Sequence, residues 1–177
     1  MPRLNAKLLL TSALTLLAPL ALAEKADSGK PINVDAGRVS QDQKTGRSVL
    51  EGGVRLVQGT LSLDADQAVI TEQADGEQTV QASGRPVKFK QKMEGQEVWL
   101  DARSDKLDYD SKTGDVKLTG NAWLKRGQDE LSGSHIVYNS VTEIFRAEGN
   151  ASATPGTDGR VKLVIQPKKK PESQAKP

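Results

Sequence analysis

Three glycines, Gly46, Gly52 and Gly59, recur at Gly114, Gly120 and Gly127, each displaced by 68 residues. The displacement holds for the side chains between them. Lys44-Thr45-Gly46 returns as Lys112-Thr113-Gly114, Leu56 as Leu124, Leu63 as Leu131 and Val69 as Val137, with no insertion inside the window. Such a chain uses one structural unit twice. Between the glycines, apolar residues fall at every second position: Val116 and Leu118, Ala122 and Leu124, Leu61 and Leu63, Leu107 and Tyr109. Period two predicts half-buried strands. Strands this short, joined at Lys-Thr-Gly and Gly-Gly turns, connect as antiparallel neighbours.

The pattern predicts strands over 31–35, which 39–43 continues or pairs beside, then 47–51, 54–58, 60–73, 79–82, 87–92, 143–148 and 160–166, with 96–110 mirroring the first strand region and 115–139 forming the second copy of the core unit. Residue 73 is followed by the turn Ala74-Asp75-Gly76-Glu77, and Pro86 opens its strand. Asp101-Ala102 echoes Asp35-Ala36 at an offset of 66, which predicts a two-residue change in that part of the repeat. Gly149 takes the place of Gly84.

With 177 residues, 36% hydrophobic and 27% charged, the chain fits one domain or one elongated repeat body. Aromatic residues make up only 3% of it, so the walls of any interior are Val, Leu, Ile and Ala, which suit flexible alkyl chains better than flat ligands. Arg3 and Lys7 precede an apolar run over 8–22 that ends in Ala21-Leu22-Ala23, the pattern of a secretory signal cut after Ala23. The run is short for a membrane span, and no cysteine follows the cut to carry a lipid. The expected organisation is a signal peptide over 1–23, a flexible leader over 24–30, a β domain over 31–166 and a disordered tail over 167–177 that carries Lys168, Lys169 and Lys170. Without Arg3 and Lys7 the basic and acidic residues balance, and no basic stripe with interleaved aromatics points to nucleic acid. Zero cysteines mean that no disulfide staples the fold.

Catalytic and metal patterns are not found. Lys-Thr-Gly occurs in penicillin-binding enzymes together with Ser-x-x-Lys, but here it sits twice in turns, and the Ser-x-x-Lys at Ser173 to Lys176 lies in the tail. His135 and Ser134 are strand neighbours and point to opposite faces. Asp101, Asp105, Asp108, Asp110 and Asp115 lack the glycine-centred loop and terminal Glu of a calcium site, and read as turn residues. No catalytic residue, metal or cofactor is therefore expected.

Pro31-Ile32-Asn33-Val34-Asp35-Ala36, Gly52-Gly53-Val54, Gln58-Gly59-Thr60, Asp64-Ala65-Asp66 and Leu118-Thr119-Gly120-Asn121-Ala122 follow one another in an order that resembles the LptA family. Ser83-Gly84-Arg85-Pro86-Val87-Lys88-Phe89 and Ile136-Val137-Tyr138 fit it as well. These are OstA-like periplasmic proteins of the lipopolysaccharide transport bridge in Gram-negative bacteria. The resemblance implies an all-β fold of antiparallel strands in two facing sheets, an open-ended V-shaped β-jellyroll or β-taco, with lipid A acyl chains in the groove. It implies copies joined head to tail by strand addition, and the same contact with LptC-like inner-membrane and LptD-like outer-membrane partners. It places Ile32, Phe89, Leu107 and Tyr109 on the lipid path, and Val34, Leu118 and Leu124 complete the expected groove. The strand-addition edges are then Ile32, Asn33, Val34 and Asp35 at one end, and Val161, Lys162, Leu163, Val164 and Ile165 at the other. The chain departs from the family in its longer Asp110-Ser111-Lys112-Thr113-Gly114-Asp115 turn. The competing readings are an exported β-solenoid enzyme acting on polysaccharide, which needs paired carboxylates facing one groove, and an adhesin-like structural repeat, which needs more than two copies.

Overall fold

The computed structural model describes residues 27, 29–93, 95–150 and 159–167. The expected signal peptide and most of the Lys-rich tail lie outside them. All regular structure among the described residues is strand: β1 (Asn33–Asp35), β2 (Arg38–Asp42), β3 (Arg47–Gln58), β4 (Leu61–Glu72), β5 (Gln78–Lys92), β6 (Trp99–Asp110), β7 (Asp115–Arg126), β8 (Asp129–Asn139), β9 (Ile144–Glu148) and β10 (Lys162–Val164). Every pairing is antiparallel, in the order β1-β3-β4-β5-β6-β7-β8-β10, with β2 also on β3 and β9 also on β8.

The pairs 47–51 and 54–58, and 79–82 and 87–92, expected as separate strands, are instead halves of single strands. Gly-Gly and Gly-Arg-Pro read as turns by composition, but here they form bulges. β3 and β4 pair at Glu51↔Gln67 and resume at Val54↔Ala65, so Gly52 and Gly53, at φ 82 and 78, fill the gap. The register breaks in the same place on every following pair, between Asp64 and Gln67, Ser83 and Val87, Arg103 and Lys106, and Thr119 and Ala122. A bulge bends its strand. Five bulges in line crease the sheet along a spine, and the two facing sheets are the two arms of one continuous sheet.

Arm one holds β2, β9 and the halves of β3 to β8 that pair in line with them; arm two holds β1, β10 and the other halves. Counted this way there are eight rungs, the first made of β1 and β2 and the last of β9 and β10. The repeat runs through the stack: β3 and β7 have the same length and stand 68 residues apart. The two-residue change expected near Asp35 is absent. Val34 pairs with Leu56 and Ala102 with Leu124, so Val34 and Ala102 are equivalent at the same 68-residue offset, and the repeated Asp-Ala letters are a coincidence of sequence. The last rung carries the real insertion. Phe145, opposite Tyr138, corresponds to Val80 opposite Ile70, whereas Leu163, opposite Leu131, corresponds to Phe89 opposite Leu63. The offsets are 65 and 74, so the extra residues fall between Glu148 and Lys162.

Candidate functional site: an apolar groove with open ends

Residues directly opposite in an antiparallel ladder share a face. On the inner face of arm two, one row runs Val34, Leu56, Leu63, Phe89, Ala102, Leu124, Leu131, Leu163. On arm one the matching row runs Val39, Leu50, Ala68, Ala82, Leu107, Leu118, Ile136, Ala147. Both rows are apolar from the first rung to the last. Toward the open side of arm one follow Ile70, Val80, Tyr109, Val116, Tyr138 and Phe145.

Residues of both arms form one core cluster. Phe89, Leu107, Leu118 and Leu124 are buried in it, and Ile32, Val34 and Tyr109 are half-buried against it. The structure thus brings all seven expected groove residues to the inner face. Ile32 sits just before β1, and Phe89, Leu124 and Val34 share one row.

Where the arm tips face each other across the groove mouth lies a cavity of about 650 Å³. Its apolar lining includes Leu61, Met93, Leu100, Tyr109 and Tyr138, and its rim carries Lys92, Glu97, Lys112 and Glu143. Burial pushes the phenols of Tyr109 and Tyr138 above the usual tyrosine range; acids at Glu77, Asp110 and Asp27 add to the effect at Tyr109. Part of the leader expected to be flexible is anchored at this rim. Asp27 accepts hydrogen bonds from the backbone N–H and hydroxyl of Thr60, and the Lys30 carbonyl accepts from Gln58 Nε2 at 3.1 Å. The β3–β4 turn supplies those donors, which alternation alone does not reveal.

Two rim residues were not among the expected site. Arg126 stands directly opposite Leu100, which is 2% exposed, so its side chain leaves β7 toward the interior. Its Nη2 binds the Glu143 carboxylate, which also accepts from Gln96 Nε2 at 3.0 Å. Arg126 could have been found from the alternation of Ala122, Leu124 and Arg126. Glu143 was hidden because its turn carries no glycine. Asp42 Oδ1 caps the first Lys-Thr-Gly turn through the N–H groups of Lys44 and Thr45, and Asp110 Oδ1 caps the second. Asn139 Oδ1 does the same for Val141 and Thr142, a third copy with Glu143 in the glycine position.

The aspartates considered for calcium are dispersed. Asp101 lies 3.8 Å from Lys90 Nζ, Asp105 accepts from Asn121 Nδ2 at 2.9 Å, and Asp115 accepts from Asn139 Nδ2 at 2.8 Å. Among the described residues no group of three or more His, Cys, Asp or Glu could hold a metal ion. His135 lies 3.1 Å from the Thr119 hydroxyl.

Among the described residues, no further strand covers either end of the stack. Asn33, Val34 and Asp35 form β1 with one ladder partner, β3, and Lys162, Leu163 and Val164 form β10 on β8 alone. Val161 and Ile165, expected within the last strand, flank it. Leu163 continues the inner row yet is 48% exposed, and Ile165 is 69% exposed. Val39 is likewise exposed at the other end.

Residues 33–144 match the model of the LptA/(LptD N-terminal domain) LPS transport protein family. The lipopolysaccharide export system protein LptA of Haemophilus influenzae is 29% identical over 96% of both chains. LptH of Pseudomonas aeruginosa, also named a lipopolysaccharide export system protein, is 30% identical over 91% of this chain and 92% of its own. The crystal structure of LptH, titled the LptA homologous periplasmic component of the lipopolysaccharide transport device, superposes with a TM-score of 0.70 at 27% identity. That match covers 80% of this chain and 99% of LptH. The chain therefore belongs to the LptA/LptD N-terminal domain family of lipopolysaccharide transport proteins.

Proposed function

We propose that this protein is a periplasmic carrier of lipopolysaccharide, holding lipid A acyl chains between its arms and passing them along a bridge of copies joined end to end. The observation that carries the reading is the pair of apolar rows that run without a polar interruption from Val34 to Leu163 and from Val39 to Ala147. A core that only stabilised the fold would close at its ends. Each row instead has an exposed residue at one end of the stack, Val39 on the first rung and Leu163 on the last, and a path for a sliding chain needs such openings.

The mouth cavity is of small-ligand size, far less than a lipid with several acyl chains fills. Loading then parts the arms, and cargo replaces arm-to-arm contacts with contacts of the same chemistry. The spine acts as the hinge, because its bulges already interrupt the ladder.

The ends support assembly through the backbone. Terminal strands of an open sheet keep a row of unpaired N–H and C=O groups, which invite strand addition. Eight rungs alternate in direction, so the last runs opposite to the first. A second copy stacked on the last rung meets it antiparallel, with its β2 on β9 and its β1 on β10. At roughly 4.8 Å per rung, eight rungs rise only about 34 Å, so a bridge needs several copies. The same edges are the docking surfaces for LptC-like and LptD-like partners.

The test is capture of lipopolysaccharide by the purified mature protein, measured against phospholipid. Capture of lipopolysaccharide in preference to phospholipid is expected. Equal capture of both, or of neither, rejects the reading.

A further inference from the structure

Glu143 holds φ 56 at the position where the sister turns carry Gly46 at φ 64 and Gly114 at φ 72. A side chain there is strained and persists only where its surroundings hold it. What holds Glu143 lies on the other arm: Arg126 at the end of β7 and Gln96 in the β5–β6 connection. Arg126 is in turn fixed by donation from Nε to Met93 Sδ at 3.1 Å. The other rim cations bind carboxylates of their own arm, Lys92 to Glu97 at 2.7 Å and Lys112 to Asp75 at 2.9 Å. Among the described residues, Arg126–Glu143 is the ion pair that crosses the mouth.

The arrangement is that of an anion site with an internal occupant. A planar guanidinium and an amide donor converge on one carboxylate, above the apolar side chains of Met93 and Tyr138. The guanidinium fork fits phosphate as well as carboxylate. It also sits where the apolar rows give way to the polar rim, the level at which acyl chains end and a sugar phosphate begins.

We propose that Arg126, assisted by Gln96, binds a phosphomonoester on the head group of the cargo lipid, and that Glu143 fills this place in the empty protein. The proposal rests on the carrier reading. Parting the arms breaks the Arg126–Glu143 pair. An arriving phosphate, which carries more charge than a carboxylate, then takes the freed guanidinium, and Glu143 leaves a strained turn.

The test compares lipid A that keeps its phosphates with lipid A from which they have been removed, using wild type, Arg126→Gln and Glu143→Gly. Wild type is expected to prefer the phosphorylated lipid. Arg126→Gln should cut that preference about tenfold, the scale of one charge-assisted hydrogen bond. Glu143→Gly, in a turn that suits glycine, should tighten binding of both lipids and keep the preference. If Arg126 only ties the arms, both variants release the same tie, bind both lipids more tightly and keep the preference, which would overturn the proposal. Inorganic phosphate at the lipid's concentration should not compete, since it gains nothing from the apolar floor; competition there would assign the site to free phosphate instead. Wild type that captures neither lipid overturns the carrier reading and this proposal together. Wild type that captures both without preference overturns the proposal alone.

Discussion

Val34 in β1 and Leu163 in β10 are the first and last members of one inner row, separated by six buried residues and open to solvent beyond Leu163. Among the described residues each lacks a ladder neighbour on one side, and each is the kind of residue the other's missing neighbour would be. The ends of the molecule are complementary in direction, in row and in chemistry.

Removal of residues from 160 onward therefore tests the join. The truncate loses β10 but keeps six long rungs paired through β8, so circular dichroism should still report a folded β protein. Light scattering should show no growth in size with concentration where the whole chain grows. Undiminished self-association of a folded truncate would exclude the C-terminal edge. Leu163→Pro should act in the same direction, because proline removes a ladder donor.

The groove residues separate into two kinds. Phe89 is 3% exposed, so Phe89→Gln leaves a void and a buried amide without partners, costing about 3 kcal/mol or more. For a chain of this size that lowers Tm by roughly 6–12 °C. Tyr109 lines the mouth cavity and is only half-buried. Tyr109→Gln should leave Tm within about 4 °C while lipid capture falls several-fold. Equal thermal losses in the two variants would show that Tyr109 serves the fold and not the path.

Much of this was legible because a sheet has period two and the unit is written twice. The alternation that marks Leu107 with Tyr109, or Ala122 with Leu124, places those side chains on the inner face without a structure. Continuity of the strands was not legible. Gly52-Gly53 has the composition of a hairpin turn, and whether it turns the chain or only creases it depends on Ala65 and Asp66 across the ladder. The Arg126–Glu143 pair was hidden for a related reason. It joins two arms whose facing is set by all the bulges together, and its third Asx-capped turn lacks the glycine that revealed the first two.

Alkaline pH should weaken the fold through the two tyrosines. Burial raises the phenol pKa of Tyr109 and Tyr138 in the folded state above the ordinary value of 10.0. The folded protein then holds protons that the unfolded chain has released, so stability falls as pH rises. The contribution is whole below about pH 10 and is lost as pH climbs through the raised values. Denaturant midpoints should fall from pH 9.5 to 11 in wild type, and fall less in a Tyr109→Phe, Tyr138→Phe double variant. An identical decline in both would assign it to other groups.

The spine yields the last prediction. Gly120 lies at φ 76, and a Cβ added there would stand 2.4 Å from Asp105 Oδ2, the oxygen that accepts from Asn121 Nδ2. Asn121 itself holds φ 47, so two consecutive residues of β7 are in the left-handed region at the crease. Gly120→Ala adds backbone strain and displaces the Asp105 carboxylate from its partner, a cost of about 1–3 kcal/mol. Gly76, at φ 84 in the β4–β5 turn, has nothing within 4 Å of an added Cβ. Gly76→Ala therefore carries the dihedral strain without the collision. Gly120→Ala should lower the denaturant midpoint more than Gly76→Ala, and Asp105→Ala in the Gly120→Ala background should recover part of the difference by clearing the space. If the two glycine variants lose equal stability, dihedral strain alone accounts for Gly120 and the contact across the spine contributes nothing.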